Sequence, residues 1–150
     1  MEDNFGRTAK KLRISVTDRC NMRCIYCMPY NNTSWLKQDT LLSYEQINQL
    51  ATIFAKFGIE KIKITGGEPT VRPKIEHLVR SLSHIEGIKS ISMTTNGLLL
   101  KDKIGQLKES GLQSITISLD TFNPERFKSI TGIDGGLSIV LDSIDAAKTA

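Results

Sequence analysis

The sequence predicts an α/β fold of parallel strands, each followed by a helix. Three observations carry this. Four short strand segments recur, at Leu12–Thr17, Lys61–Thr65, Ser90–Thr95 and Ser114–Asp120. A stretch of helical periodicity follows each of them. Every strand also alternates apolar and polar residues, so one face can pack under helices while the other stays polar. Strand–helix alternation along a chain implies a parallel sheet with right-handed crossovers.

The elements follow in order. In the first strand Leu12, Ile14 and Val16 face one way, and Arg13, Ser15 and Thr17 the other. Ser43 and Gln46 form a capping box at the first helix. Ile47, Leu50, Ala51, Phe54 and Phe57 make its apolar stripe, and Gly58 stops it. The second strand sets Ile62 and Ile64 against Lys63 and Thr65. Pro73 suits the first position of the second helix. Its stripe is Ile75, Leu78, Val79 and Leu82, and it ends before Gly87. The third strand opposes Ile91 and Met93 to Ser92 and Thr94. A short third helix is expected from Asp102 to Ser110, closed by Gly111. The fourth strand opposes Ile115, Ile117 and Leu119 to Thr116, Ser118 and Asp120. The fourth helix carries Leu137, Val140, Leu141, Ile144 and Ala147.

The polar face has two readings. It is a solvent-exposed sheet surface, or the lumen of a wide barrel holding a polar ligand. The fourth helix has no stop signal before Ala150, and four βα units leave two edge strands without neighbours. The chain is therefore expected to be the N-terminal portion, residues 1–150, of a longer domain, or to be completed by a partner.

The 150 residues amount to one domain, with no linker or low-complexity tract. Composition is that of a soluble globular protein, 39% hydrophobic and 24% charged. A net charge of +4 favours phosphorylated small molecules but is too weak to argue for nucleic acid. No segment is long and apolar enough to cross a membrane. The start, Met1-Glu2-Asp3-Asn4, is acidic and lacks a signal region. A cytoplasmic location is expected, where thiols stay reduced.

All three cysteines fall in one run, Cys20-Asn21-Met22-Arg23-Cys24-Ile25-Tyr26-Cys27. An odd, clustered set fits a metal better than a disulfide framework. Three thiolates leave a four-coordinate site one ligand short. In a [4Fe–4S] cluster each iron takes one outside ligand, so three cysteines would leave one iron open. Zinc, with His77 or His84 as fourth ligand, and inert structural thiols are the other readings. Neither the paired C-x2-C pattern nor H-x3-5-H is present.

The run follows the first strand directly, and in α/β barrels the loops after the strands build the active site. The second strand ends in Thr65-Gly66-Gly67-Glu68-Pro69, where a double glycine lets backbone approach a ligand. The third ends in Thr94-Thr95-Asn96-Gly97 and the fourth in Ser118-Leu119-Asp120. Turn chemistry explains Asn96-Gly97 by itself. It does not explain why all four strand ends are small, polar or glycine beside a metal motif.

The cysteine run with Tyr26, followed by Gly66-Gly67-Glu68-Pro69, resembles the radical S-adenosylmethionine (SAM) superfamily. Longer stretches, Leu12–Asn21, Ile64–Arg72 and Thr94–Leu100, resemble its GTP 3′,8-cyclase family, lyases of molybdenum cofactor biosynthesis. The resemblance covers nearly the whole chain; residues 31–38 are the least informative tract. It implies a partial, six-stranded (βα)6 TIM-like barrel, of which about four βα units are present.

The resemblance implies a [4Fe–4S] cluster on Cys20, Cys24 and Cys27, with SAM chelating the open iron. One electron would cleave SAM to methionine and a 5′-deoxyadenosyl radical, which takes the 3′ hydrogen of GTP. The ribose carbon then attacks C8 of guanine, giving (8S)-3′,8-cyclo-7,8-dihydroguanosine 5′-triphosphate. By position, Tyr26, Gly67 and Ser118 would contact SAM, and Arg13, Lys63 and Thr94 would contact GTP. The family usually has arginine where Lys63 stands; lysine keeps the charge but loses the bidentate fork. Read without the resemblance, Lys63 is a surface lysine on an edge, and Thr94 and Ser118 are ordinary strand residues. A reducing electron donor such as flavodoxin or ferredoxin, and a homodimeric state, are the partners this reading allows.

Members of that family are about twice as long. They add a second cysteine triplet, whose cluster binds the guanine, and a Gly-Gly tail. Neither is found here, so the 150 residues alone are not expected to turn over GTP. Another radical SAM enzyme, such as a peptide-modifying maturase, and a non-catalytic metal-binding module are the alternative functions.

Overall fold

The computed structural model describes residues 4–6, 8–27 and 35–150. The acidic Met1–Asp3 and half of the 31–38 tract, residues 31–34, lie outside the described residues. Four parallel strands form one sheet in the order β1-β2-β3-β4: β1 Lys11–Ser15, β2 Lys61–Thr65, β3 Ser90–Thr95 and β4 Ser114–Ile117. Between them run α1 Tyr44–Lys56, α2 Ile75–Ser83 and α3 Ile104–Glu109. After β4 come α4 Pro124–Thr131 and α5 Gly136–Thr149. The unbroken strand order is that of a barrel wall, in which each new strand adds beside the last.

The alternation read from the sequence sets the layers. Ile62, Ile64, Ile91 and Met93 are buried under the helices, with Ile47, Ala51, Ile75, Leu78, Val79, Leu82 and Leu107. The opposite face carries Arg13, Lys63, Ser92 and Ser114 in one register row. A second, smaller core joins Met22, Phe127, Leu137 and Val140, with Cys20 and Cys24 packed against it.

Several elements depart from the sequence expectations. Pro73 does not start α2, which begins at Ile75 after Lys74 in the left-handed region, φ 57°. The chain before it is committed elsewhere. Pro69–Val71 form a 3-10 turn capped by Glu68, and Arg72 is held extended before the proline. Of the α1 stripe, Ile47 and Ala51 are buried, whereas Leu50 is 44% exposed and Phe57 is also exposed. α1 belongs to the β1 edge of the sheet, so only part of its apolar surface meets the core. The capping box at Ser43 and Gln46 forms as expected. The β1 and β4 ladders end at Ser15 and Ile117, though Val16 N–H still donates to Thr65 O and Ser118 N–H to Thr95 O.

The sequence reading missed α4 altogether. Asn123 caps it through its side chain, Pro124 takes the first turn, and Gly132 ends it at φ 75°. Among the described residues, no helix is long and apolar enough to cross a membrane.

Candidate functional site

The cysteine loop follows β1, lies across the top of the sheet and is tied to the ends of the other three strands. On the β2 side, Gly67 N–H donates to Thr17 O at 2.7 Å, and Glu68 N–H to Arg19 O at 2.8 Å. A Cβ at Gly67 would lie 2.4 Å from Arg19 O, and one at Gly66 2.6 Å from Thr17 O. The double glycine is therefore where two backbones touch, and any side chain would part them.

On the β3 side the Asn96 amide bridges two residues of the loop. Its Nδ2 donates to Asn21 Oδ1 at 2.8 Å and to Cys20 Sγ at 3.7 Å. On the β4 side the Tyr26 hydroxyl donates to Asp120 Oδ2 at 2.7 Å. That bond raises the Tyr26 pKa above the ordinary phenol range, with burial adding to it.

The far end of the loop rests on α4. Arg23 N–H donates to Thr131 O and Ile25 N–H to Ile130 O, using carbonyls at the helix C-terminus. The Arg23 guanidinium donates to the carbonyls of Cys20 and Met22 at 2.7 and 2.8 Å, and stacks over Trp35. Arg72 clamps the neighbouring segments. It donates to Val16 O and Leu42 O and lies 4.3 Å from the Tyr44 ring centroid.

Glu68 is the anchor beneath. It is 1% exposed. Its Oε1 accepts from Thr70 N–H, Thr70 Oγ1 and Thr95 Oγ1, and its Oε2 from Asn96 N–H at 2.6 Å. The glutamate of the Gly-Gly-Glu-Pro run thus joins the tops of β2 and β3. Nothing in its sequence position assigned it that role, because two of its partners lie 27 and 28 residues away.

The three thiols feel one another and their surroundings. Burial pushes the Cys20 and Cys24 thiols up. Neighbouring thiols push the same way, while the Met22 N–H and the Asn96 amide pull Cys20 back. Free Cys20 and Cys24 are thus held protonated, and metal uptake must release those protons. Among the described residues, no three His, Cys, Asp or Glu side chains converge on one ion position. A cubane takes one thiolate per iron, so its thiols need not meet at a point. The zinc reading fares poorly: His84 Nδ1 is engaged with Arg80 O at the C-terminal end of α2, and His77 sits beside Glu76 on its surface. Three soft thiols on one loop, with an amide aimed at one sulfur, fit an iron–sulfur cluster.

The other predicted positions fall on the polar face or its rim. Arg13 and Lys63 are register partners, as are Thr94 and Thr116. Among the described residues the buried Thr94 hydroxyl has no hydrogen-bond partner. Ser118 is exposed just beyond β4. Lys63 lies on an inner strand, not on an edge. Lys11 and Lys61 pair one step lower, so four cations share this face. Among the described residues none of the four pairs with a carboxylate.

These features define the class of the protein. The radical SAM superfamily profile matches residues 14–150, and the chain belongs to that family, whose cofactors are a [4Fe–4S] cluster and S-adenosylmethionine. Curated relatives named GTP 3′,8-cyclase are similar to it. The one from Limosilactobacillus fermentum is 48% identical over 97% of this chain and 43% of its own length. Those from Listeria monocytogenes (strain EGD-e) and Aquifex aeolicus are 47% and 44% identical over 99% and 97% of this chain, and 44% and 46% of their own. The chain thus spans less than half the length of these relatives. In fold it is similar to HydG, a maturase of the [FeFe]-hydrogenase (TM-score 0.74, 15% identity, 93% of this chain and 32% of that one). It is also similar to Streptococcus suis SuiB bound to S-adenosylmethionine (TM-score 0.72, 22% identity, 94% and 31%).

Proposed function

We propose that Cys20, Cys24 and Cys27 hold the [4Fe–4S] cluster, and that this portion of a GTP 3′,8-cyclase binds SAM beside it. The observation that carries this is the seating of the cysteine loop. It is fastened to the tops of β2, β3 and β4 by Gly67, Asn96 and Asp120, directly above the polar face. Held there, the two cofactors would supply one-electron reductive cleavage chemistry. The residues of the chain bind, orient and shield.

In this reading Tyr26, Gly67 and Ser118 contact SAM. Gly67 offers backbone, Tyr26 an aromatic edge fixed by Asp120, and Ser118 a hydroxyl on the β4 rim. Arg13, Lys63 and Thr94 face GTP. Two adjacent cations without carboxylate partners among the described residues suit a triphosphate, and the Thr94 hydroxyl, buried without a partner among them, can hydrogen-bond substrate. Cyclisation of GTP is proposed for the full length that the relatives have. A reducing protein such as flavodoxin or ferredoxin supplies the electron, and the protein works in the cytoplasm.

The test is anaerobic reconstitution with iron and sulfide, followed by dithionite and SAM. Formation of 5′-deoxyadenosine supports the reading. Stoichiometric zinc with no iron uptake sinks it in favour of a metal-binding module. Turnover of a peptide but not GTP by the full-length protein would favour a maturase.

A further inference from the structure

We propose that Asn96 is a positioning residue for Cys20 whose side-chain amide sets the reduction potential of the cluster through an N–H···S hydrogen bond. The inference rests on the assignment of Cys20 as a cluster ligand and goes beyond it.

Five contacts carry it. Leu98 N–H donates to Asn96 Oδ1 at 3.1 Å, which identifies that atom as the acceptor and turns Nδ2 toward the loop. Nδ2 has two hydrogens and two acceptors in reach, Asn21 Oδ1 at 2.8 Å and Cys20 Sγ at 3.7 Å. The Asn96 main chain is fixed by the buried Glu68 carboxylate at 2.6 Å. The amide is therefore held from three sides and aimed at the sulfur. Cys20 also accepts from Met22 N–H at 3.4 Å, so two donors serve this one thiol.

A donor to a ligating sulfur stabilises the more negative, reduced cluster and raises its potential. The amide is neutral, so it does this without adding a charge beside the site. Substitution should act on the potential more than on cluster content, because the three thiols remain.

Two measurements test this on anaerobically reconstituted protein. The first is an EPR-monitored redox titration of wild type, Asn96→Ala and Asn96→Asp, with iron and sulfide content measured on each. The midpoint should move to more negative values in Asn96→Ala and further in Asn96→Asp. An unmoved midpoint in an iron-loaded Asn96→Ala overturns the proposal. The second needs no Asn96 variant to fold. Wild type and Asn21→Ala, labelled with 15N only at the asparagine side-chain amide, should both show a weak 15N hyperfine coupling in the reduced cluster. Absence of that coupling in wild type, or its loss in Asn21→Ala, overturns it, whatever Asn96→Ala does. Failure of the ligand assignment would show separately, as unchanged iron content in Cys20→Ala.

Discussion

Tyr26 donates its hydroxyl to Asp120 across the top of the sheet at 2.7 Å, tying the cysteine loop to the end of β4. The two residues are 94 positions apart, and Tyr26 is 68% exposed. An exposed hydrogen bond adds little to stability. Its value lies in fixing an aromatic ring beside the thiols.

Asp120→Ala is therefore expected to leave the unfolding midpoint nearly unchanged, with a cost of roughly 0.5–1 kcal/mol. SAM affinity should fall several-fold, and Tyr26→Phe should give the same loss. The double variant should be no worse than either single one. Binding isotherms for SAM on the reconstituted proteins check this, and additive losses would separate the two residues.

Gly67→Ala should be far more disruptive. The new Cβ meets two carbonyl oxygens of the main chain, Arg19 O at 2.4 Å and Asp18 O at 2.5 Å, and neither is a flexible side-chain end. Relief requires parting the loop from β2, at a cost of about 1–3 kcal/mol or more. Urea unfolding should report the destabilisation and iron analysis a loss of cluster. Gly105→Ala is the control, since a Cβ there meets nothing within 4 Å.

Glu68→Gln preserves shape but replaces one acceptor oxygen with a donor. The carboxylate receives four hydrogen bonds while buried, so at least one donor is left facing an N–H. The expected cost is about 1–3 kcal/mol per buried group left unsatisfied. Chemical denaturation measures it. Stability equal to wild type would remove Glu68 from its role as anchor of the strand tops.

Phe127→Ala tests the missed helix. Phe127 is buried in the small core with Met22, and Cys20 and Cys24 pack on that core. A loss of roughly 3–5 kcal/mol is expected. Reconstituted iron content should drop as well, because α4 also accepts the N–H groups of Arg23 and Ile25. Full cluster loading in a destabilised but folded variant would show that the loop does not depend on α4.

Much of this was legible from the residues. Strict alternation in four strands gave the sheet its two faces, and the register puts Arg13 beside Lys63 on the polar one. The cysteine spacing marked the three thiols as the candidate metal site by their soft, clustered donors. What escaped was of two kinds. α4 had its signals, Asn123, Pro124 and Gly132, but it is mostly polar and exposed, and only Phe127 and Thr131 are buried, so no stripe stood out. Glu68, Asn96 and Asp120 lay inside recognised strand ends, yet their partners are distant in sequence. A carboxylate that accepts from two strands cannot be told from a surface glutamate until the strands are side by side. The start of α2 failed for a similar reason: the Arg72 clamp on Val16 and Leu42 overrides the local preference of Pro73.

Three cysteines serving a cubane would leave one iron open for SAM. The most direct measurement is the EPR spectrum of the dithionite-reduced, reconstituted protein, recorded with and without SAM. The expected signal is that of a reduced [4Fe–4S] cluster, changing on addition of SAM and lost in Cys24→Ala. A cluster signal indifferent to SAM, or one that survives Cys24→Ala unchanged, would contradict it.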